Sequence, residues 1–279
     1  MNLATTERRV LVTGASGYIG THVVTALVRS GAQVVATYLP GTLPPPDLRV
    51  GVEWVPVDIF EDDVLAVTGR VDSCVHLAWL AGFVHNDPIH FLNVSSHFRF
   101  LDSLVAGGVK QLAVLGSMHE IGYHEGPITQ DTPTKPLSLY GVAKNALREA
   151  LFLRFAGSDV VLQWLRCFYI YGDDERGQSI FAKITAAAAA GQATFPFTTG
   201  SNKFDFIEVN RLGEQIAACI LQTEIAGVIN CCSGVPVSLA EQVESYIAER
   251  GLSIRLEYGA FPDRPYDSPG TWGDATKIN

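Results

Sequence analysis

Three glycines stand where an apolar, β-branched run passes into a helical pattern, in the segment VLVTGASGYIGTHVV. Glycines such as Gly14, Gly17 and Gly20 permit a tight turn, and they let backbone N–H groups and a helix N-terminus approach a pyrophosphate. Their G-x-x-G-x-x-G spacing differs from the G-x-G-x-x-G fingerprint, and glycines alone can also mark a packing turn. Because a strand and a helix flank the turn here, the segment predicts a dinucleotide-binding unit.

The first half of the chain repeats this alternation of strand and helix. Apolar, β-branched runs predict strands at 8–14, 32–38, 52–57, 72–78, 110–117 and 160–166. Helical patterns lie between them near 18–30, 61–68, 91–107 and 137–156. Such alternation is typical of βαβ units, so the predicted fold is α/β with a doubly wound parallel (Rossmann) sheet.

Beyond residue 166 the pattern loosens. A helix, a short strand and a second helix are predicted at 179–192, 203–209 and 211–222. We therefore expect a dinucleotide-binding Rossmann domain over 1–166 and a smaller, mainly substrate-binding lobe over 167–279, with segments such as 227–233 returning to the main sheet. The proline-rich segment 38–50 is predicted to be an exposed connection without regular structure.

Composition excludes several classes of function. With 47% hydrophobic and 18% charged residues, the 279-residue chain can bury a large core. A net charge of -9 and the lack of a Lys/Arg cluster argue against nucleic acid as a partner. No apolar stretch approaches the roughly 18 residues that span a bilayer, so a cytoplasmic protein without membrane association is expected. The five cysteines lack metal-ligand spacing and are expected to be reduced core thiols.

A tyrosine and a lysine open the predicted helix 137–156 in the segment LYGVAK. The i,i+4 spacing of Tyr140 and Lys144 places both side chains on one helix face. An ammonium beside a phenol is expected to lower the pKa of the phenol, which suits interconversion of alcohols and ketones. Tyr-x-x-x-Lys also occurs by chance. Ser117 ends a predicted strand, where ligands gather in open α/β sheets.

Several segments occur in the order found in one enzyme family: TGASGYIG, HLA, FLN, Ser117 and YGVAK, followed by LRCFYIYG, FDFIEVNRLGEQI, INCCSGVPVSL and DRPYDSPGTWGDATKI. The chain thereby resembles the extended short-chain dehydrogenase/reductases, the superfamily of nucleotide-sugar epimerases, dehydratases and reductases. The resemblance covers nearly the whole chain. It implies an NAD(P)-dependent oxidoreductase that acts on a nucleotide sugar.

The resemblance implies a role for each matching residue. Tyr140 would be the general acid that donates to a nascent alkoxide, Lys144 would hold the nicotinamide ribose, and Ser117 would hydrogen-bond the carbonyl. Asn93 resembles an asparagine that holds the sheet near the site. The implied cofactor-binding set is Gly14, Ser16, Gly17, Tyr18, Ile19, Gly20, Tyr38, Asp58, Ile59, Leu77, Ala78, Tyr140 and Lys144, with Asp58 near the adenine and Ala78 along the pyrophosphate. The implied substrate-binding set is Met118, His119 and Arg264.

The strand end at GSMHEIGYHE distinguishes reactions within the family. In its 4,6-dehydratases the comparable residues are serine, threonine, aspartate and glutamate, and the acid pair eliminates water. Here Met118 and His119 replace that pair, and Glu120 is displaced by one residue and expected to point elsewhere. Dehydration is therefore not predicted. His119 and His124 would contact a sugar hydroxyl or phosphate, or be loop residues bonded to backbone; zinc is not expected.

The end of the second predicted strand bears on the choice of cofactor. NAD-dependent relatives usually carry an aspartate there for the ribose 2'-hydroxyl, whereas this chain has Tyr38. The missing carboxylate removes a barrier to a 2'-phosphate, but no arginine supplies a positive partner at that position. NADP(H) is favoured modestly, with Arg49 or a residue after the glycine turn as the phosphate contact and NAD(H) as the alternative.

Serine, tyrosine and lysine without the dehydratase acids most resemble the 4-ketoreductases of nucleotide-activated 6-deoxyhexoses. The alternatives are an NAD-dependent nucleotide-sugar 4-epimerase, a reductase of a non-sugar carbonyl, and a non-catalytic dinucleotide-binding scaffold. The family also implies a homodimer through a four-helix interface, to which helices 91–107 and 137–156 would contribute. The partner expected for the site is a nucleotide-sugar substrate.

Overall fold

The computed structural model describes residues 8–48, 50–172, 179–262 and 268–278. Its strands are β1 (Arg9–Thr13), β2 (Gln33–Tyr38), β3 (Val52–Pro56), β4 (Ser73–His76), β5 (Gln111–Ser117), β6 (Gly126–Ile128), β7 (Val161–Cys167), β8 (Tyr169–Tyr171), β9 (Thr194–Pro196), β10 (Lys203–Glu208), β11 (Gly227–Cys231), β12 (Pro236–Ser238), β13 (Arg255–Glu257) and β14 (Gly270–Gly273). Its helices are α1 (Tyr18–Arg29), α2 (Val64–Thr68), α3 (Ile89–Leu92), α4 (Val94–Ala106), α5 (Leu139–Arg154), α6 (Ile180–Ala189), α7 (Val209–Ile220) and α8 (Leu239–Glu249).

The largest sheet has seven parallel strands in the order β11-β7-β5-β4-β1-β2-β3. The doubly wound parallel sheet predicted from the sequence is thus confirmed. The strand order reverses between β1 and β4, and open α/β sheets bind ligands in the crevice at such a switch point. That crevice lies at the carboxyl ends of the strands, where β1 ends at Thr13 and β4 ends at His76.

Two apolar layers cover the faces of this sheet. On one face, α1 and α7 pack against the strands through residues such as Leu27 and Ile216. On the other face, α4 and α5 bury residues such as Leu104 and Leu147. Helix α5 is thereby fixed against the sheet with its first turns at the carboxyl edge, and this position decides where Tyr140 and Lys144 lie.

A smaller lobe contains the remaining strands. Its sheet runs in the order β12-β10-β14-β6, with β8 paired to β10, and β13 pairs with β9. Phe181, Phe206 and Tyr246 lie in its apolar core. Strand β11 and helix α7 follow residue 166 in sequence but belong to the layers of the large sheet. The main sheet therefore draws residues from both sides of residue 166.

Three predicted elements differ from the observed ones. The helix predicted over 91–107 is two helices, α3 and α4, because Asn93 ends the first and caps the second. The helix predicted over 61–68 begins only at Val64, because the Asp63 side chain caps it by accepting a hydrogen bond from Ala66 N–H. Within the predicted connection 38–50, a 3-10 turn spans Pro46–Leu48 and the Leu48 carbonyl accepts a hydrogen bond from the indole of Trp54.

No described helix has the length and apolar character required to cross a membrane. All five cysteines fall within the described part of the chain, where they are buried free thiols. This agrees with their expected role as core residues.

Candidate active site

The glycine turn brings the backbone of β1 against that of β4. Gly14 has a φ of +67°, and a Cβ atom built on it would lie 2.6 Å from the backbone nitrogen of Ala78. A Cβ atom on Gly20 would lie 2.1 Å from the carbonyl oxygen of Gly14. Only glycine fits at these two positions. Gly17 caps α1 and has no side chain to occupy the first N–H groups of the helix, which can therefore face an anion.

A cavity of about 620 Å³ opens beside this turn. It is lined by Ser16, Gly17, Tyr18, Leu43, Pro44, Pro45 and Pro46. The proline-rich segment thus forms one wall of the cavity, which corrects its interpretation as a connection only. A cavity at a helix N-terminus, next to a glycine turn, is suited to the pyrophosphate of a dinucleotide.

The other predicted cofactor residues border the same edge of the sheet. Tyr38 ends β2 and packs edge-on against Trp54, with ring centroids 6.2 Å apart. Asp58 and Ile59 follow β3 and are half-buried, and an Asp58 carboxylate oxygen accepts a hydrogen bond from Phe60 N–H at 3.0 Å. Leu77 and Ala78 follow β4 directly, and Ile19 lies in the first turn of α1. Arg49 lies outside the described residues.

Ser117, Tyr140 and Lys144 meet where β5 and α5 approach each other. Ser117 is the last residue of β5, and its side chain lies close enough to the Tyr140 phenol to influence the pKa of that phenol. Ser138 caps α5 by accepting a hydrogen bond from Gly141 N–H at 3.2 Å, which fixes the first turn of that helix. The Lys144 ammonium lies 5.9 Å from the centroid of the Tyr140 ring. The structure therefore brings together the three residues that the sequence predicted to be catalytic.

The ionisation of this group differs from the expected one. Burial raises the pKa of Tyr140 above its ordinary value, although the hydrogen bond from Ser117 opposes the rise. Burial lowers the pKa of Lys144 to about 7, against an opposing attraction to the Glu120 carboxylate. Lys144 donates a 2.7 Å hydrogen bond to the Leu115 carbonyl instead of meeting the phenol. The pKa of Tyr140 is thus raised and not lowered as expected, because desolvation of the phenol is the largest effect on it.

A column of aromatic and imidazole rings runs beneath Lys144. Its ammonium lies 3.7 Å from the centroid of the Trp79 indole, and Trp79 stacks on His97 with centroids 4.4 Å apart. His97 hydrogen-bonds His76 at 2.9 Å, and His76 hydrogen-bonds the Thr13 hydroxyl at 2.7 Å. Burial, together with the Lys144 charge, lowers the pKa of His97 to about 3, and burial also lowers the pKa of His76, so both imidazoles are neutral at pH 7. Polar contacts thus connect the end of β1 with the neighbourhood of Lys144.

Sequence analysis missed this column. A signal for it was present, because four of the seven histidines fall within the segment VHLAWLAGFVHNDPIHFLNVSSH. That clustering did not reveal which rings would face one another. Their contacts depend on how the segment after β4 folds back on α5.

Three imidazoles border Tyr140, those of His85, His90 and His119, with ring centroids 5.5, 5.2 and 5.9 Å from the centroid of the phenol ring. His85 lies roughly parallel to the phenol ring, with centroids 5.5 Å apart, and its carbonyl accepts a 2.8 Å hydrogen bond from Tyr140 N–H. The His119 ring lies 4.4 Å from that of His85. Burial, together with the neighbouring His85, lowers the pKa of His119 to about 4, so its imidazole is neutral at pH 7. A neutral imidazole in this place can donate or accept a hydrogen bond with a sugar hydroxyl.

The remaining predicted residues lie elsewhere. Met118 packs in an apolar cluster with residues such as Ile128, and its placement in the substrate-binding set stays a prediction. His124 contacts the Pro127 carbonyl at 3.1 Å, in agreement with a loop residue bonded to backbone. Arg264 lies outside the described residues. No cluster of three or more metal-ligating side chains occurs in the parts of the chain that the structure describes.

Comparison with known proteins gives the family. The family described as NAD dependent epimerase/dehydratase matches residues 10–232. The dTDP-6-deoxy-L-talose 4-dehydrogenase (NAD(+)) of Aggregatibacter actinomycetemcomitans is 43% identical over 95% of this chain and 98% of that enzyme. UDP-arabinose 4-epimerase 1 of Arabidopsis thaliana is 28% identical over 96% of this chain and 73% of that protein.

A solved structure agrees with these relatives. The structure of MoeE5 in complex with UDP-glucose and NAD is similar with a TM-score of 0.79 and 27% identity. The match covers 97% of this chain and 90% of that one. Fold and sequence therefore point to the same group of proteins.

Proposed function

Because this chain belongs to the NAD dependent epimerase/dehydratase family, we propose that it interconverts a keto group and an alcohol at carbon 4 of a nucleotide-activated 6-deoxyhexose. We propose reduction of the ketone as the working direction. The nicotinamide dinucleotide supplies the hydride. Gly14, Gly17 and Gly20 would hold its pyrophosphate, and Lys144 would turn from Leu115 towards its ribose.

The observation that carries this proposal is the position of the Ser117 side chain, which lies close enough to the Tyr140 phenol, at the carboxyl edge of the sheet, to lower the pKa of that phenol. A carbonyl oxygen placed between these two hydroxyls would accept hydrogen bonds from both. As negative charge develops on that oxygen, Tyr140 would donate its proton. Without Ser117 the carbonyl would lose one of its two donors, and without Tyr140 it would lose its proton source.

The ionisation of the site favours reduction. Burial raises the pKa of Tyr140, so the phenol keeps its proton at neutral pH. A protonated phenol is the form that a reductase needs, whereas oxidation of an alcohol needs the phenolate as base. The relative named a 4-dehydrogenase is named for oxidation, but both directions pass through the same transition state. Oxidation by this chain should therefore rise as pH increases.

Two observations argue against dehydration. The positions after Ser117 hold Met118 and His119, so the acid pair of the dehydratases is missing. Glu120 is fully buried, and its side chain turns back to the Ser117 N–H. Glu120, the third residue after β5, is therefore bonded within the protein interior and does not face the substrate.

The cofactor that we propose is NAD(H). The absence of aspartate at Tyr38 favoured NADP(H), but the relatives do not support this preference: a 4-dehydrogenase is named for NAD(+), and the MoeE5 complex contains NAD. The described wall of the cavity is made of Leu43 and three prolines, which offer no charge to a 2'-phosphate. Titration with NADH and NADPH, followed by quenching of protein fluorescence, tests the choice. Tighter binding of NADPH would overturn it.

The decisive experiment measures both directions of the reaction. The protein is incubated with NADH and a dTDP-4-keto-6-deoxyhexose, and separately with NAD+ and dTDP-6-deoxy-L-talose, while absorbance at the nicotinamide band is recorded. We expect net consumption of NADH, and a loss of about 100-fold or more in Tyr140→Phe, as removal of a general acid produces. Tyr123→Phe, at an exposed tyrosine, is the matched control. Equal turnover in wild type and Tyr140→Phe would reject the role of Tyr140, whereas no turnover in either protein would favour a scaffold role.

The second candidate is a 4-epimerase, because relatives at 28% identity carry that name. An epimerase retains its nicotinamide through the cycle and shows no net change in NADH. Purified protein that contains firmly bound nicotinamide, and interconverts two nucleotide sugars without added cofactor, would favour this candidate over the reductase.

We further propose a homodimer through α4 and α5. These helices pack on one face of the sheet, and Leu153 on α5 is 78% exposed. Light scattering of wild type and Leu153→Glu tests this surface. A monomeric wild type would reject the dimer.

A further inference from the structure

Glu120 is a buried acid directly behind Ser117. It ends a 3-10 turn, Met118–Glu120, that follows β5, and its side chain is fully buried. One carboxylate oxygen accepts hydrogen bonds from Ser117 N–H at 2.6 Å and from the Trp164 indole N–H at 2.9 Å. The Ser117 hydroxyl in turn accepts from His119 N–H at 3.2 Å, so the turn is closed at both ends.

Two guanidinium groups face this carboxylate. Arg166 Nη2 lies 3.6 Å from Glu120 Oε2, and Arg148 Nε lies 3.8 Å from the same oxygen. Arg166 belongs to β7 and is fully buried, whereas Arg148 belongs to α5, the helix that carries Tyr140. Burial raises the pKa of the Glu120 carboxyl, while the charge of Arg166 and the hydrogen bond from Ser117 oppose the rise. Glu120 thus links three elements that converge on the catalytic group.

Such an arrangement is a costly way to stabilise a core. Well-packed apolar side chains often stabilise a protein as much as a buried ion pair does, so the charges indicate a demand for defined geometry. The hydrogen bond that distinguishes this carboxylate goes to the backbone of Ser117, whose hydroxyl meets the Tyr140 phenol.

We propose that Glu120 is a positioning residue that holds the backbone of Ser117 so that its hydroxyl stays in line with Tyr140, and that Arg166 compensates its charge. The inference rests on the proposed function for its kinetic test. Glu120 touches neither cofactor nor substrate in this assignment. It acts through Ser117.

The test compares two variants that differ by one side chain, both made with Arg166→Met so that no buried guanidinium is left unpaired. Glu120→Gln keeps an oxygen that can accept from Ser117 N–H, whereas Glu120→Met removes it. We expect the first to stay within about 5-fold of wild type and the second to lose about 50-fold in kcat, as a misplacement of under an ångström would cause. The Kd for NADH should stay within about 3-fold in both, because the cofactor contacts are untouched.

A cycle with Ser117→Ala distinguishes positioning from general destabilisation. If Glu120 acts through the Ser117 hydroxyl, the difference between Gln and Met at position 120 disappears once that hydroxyl is removed. If Glu120→Met lowers kcat relative to Glu120→Gln by the same factor with and without the Ser117 hydroxyl, the inference is overturned. Equal turnover of the Glu120→Gln and Glu120→Met variants would also overturn it. Glu125→Gln, an exposed acid in the same segment, is the control.

Amide hydrogen exchange provides a readout that needs no turnover. Exchange in a peptide spanning 116–121 should be faster in the Met variant than in the Gln variant, while β7 stays protected. Equal exchange would overturn the inference. An inactive wild type with this difference in exchange would reject the proposed function and leave the role of Glu120 standing. If the Glu120→Met variant does not fold, Trp164→Phe is added to both position-120 variants. This change removes the indole N–H that Glu120→Met leaves without an acceptor.

Discussion

The Lys144 ammonium lies 3.7 Å from the centroid of the Trp79 indole. Trp79 is itself fixed, because its N–H donates a 2.9 Å hydrogen bond to His90 Nδ1. An indole N–H can only donate, so His90 carries its proton on Nε2 and donates it to the Val84 carbonyl at 2.9 Å. The ring beneath the lysine is therefore held in one orientation, and a cation over its face is attracted by the π-system.

We predict that Trp79→Leu impairs the reaction more than Trp79→Phe does. Leucine removes the π-face on which Lys144 rests, whereas phenylalanine keeps a ring and loses only the donor to His90. A loss of about 10-fold in kcat/KM is expected for Trp79→Leu, corresponding to a cation–π contact of 1 to 2 kcal/mol. Steady-state kinetics measure it. Equal losses in the two variants would show that the π-face is irrelevant.

The buried amine should make stability depend on pH. Burial lowers the pKa of Lys144 to about 7, from 10.5 in an exposed lysine. Between these two pH values the unfolded chain binds more protons than the native one, so the free energy of unfolding rises with pH across that window. The destabilisation caused by the buried ammonium is therefore fully present below pH 7 and disappears as the pH approaches 10.5. Lys144→Met should remove this part of the slope and stabilise the protein at pH 7 by roughly 1 to 4 kcal/mol, while abolishing turnover.

Urea unfolding at pH 7 and pH 9 measures this effect. Lys110→Met, at an exposed lysine, is the control and should change neither the stability nor its slope. A Lys144→Met protein less stable than wild type at pH 7 would contradict the prediction.

Asp205 should be a strong determinant of stability. It is fully buried in β10 and accepts hydrogen bonds from Ser233 N–H, the Ser233 hydroxyl, Gly234 N–H and Gly273 N–H at 2.7 to 3.1 Å. Asp205→Ala would leave these donors without a partner, at a cost of about 3 kcal/mol or more. Thermal unfolding measures the loss of stability. Asp274→Ala is the control, because the Asp274 carboxylate accepts an exposed hydrogen bond from Thr276 N–H, and that donor can bond to water when the carboxylate is removed. Similar melting temperatures for the two variants would contradict the prediction.

Gly14→Ala should weaken cofactor binding. Its φ of +67° and the 2.6 Å approach to Ala78 N both oppose a Cβ atom. Gly157 has a similar φ of +71° with nothing within 4 Å of a built Cβ, so Gly157→Ala isolates the backbone strain from the steric clash. We expect the Kd for NADH to rise about 10-fold or more in Gly14→Ala only, which corresponds to a loss of about 1.4 kcal/mol or more in binding free energy. Equal affinities in the two variants would exclude the clash as a determinant.

The sequence was sufficient for features that depend on local pattern. Strand and helix periodicity predicted the parallel sheet, and glycines at a strand-to-helix turn predicted the crevice beside Gly14. Ser117 and Tyr140 could be predicted as neighbours, since one ends a strand of that sheet and the other begins the helix packed upon it. The break at Asn93 escaped prediction, because the apolar pattern continues through it.

Tertiary structure alone decided what surrounds those residues. The proline-rich segment proved to be a cavity wall, and the ring column under Lys144 joins residues as far apart as Thr13 and His97. Glu120 meets Trp164 across 44 positions of sequence. Many such neighbours together bury Tyr140 and Lys144. The resulting desolvation raises the pKa of Tyr140 and lowers that of Lys144. A motif specifies which groups meet, but their charge states depend on the protein packed around them.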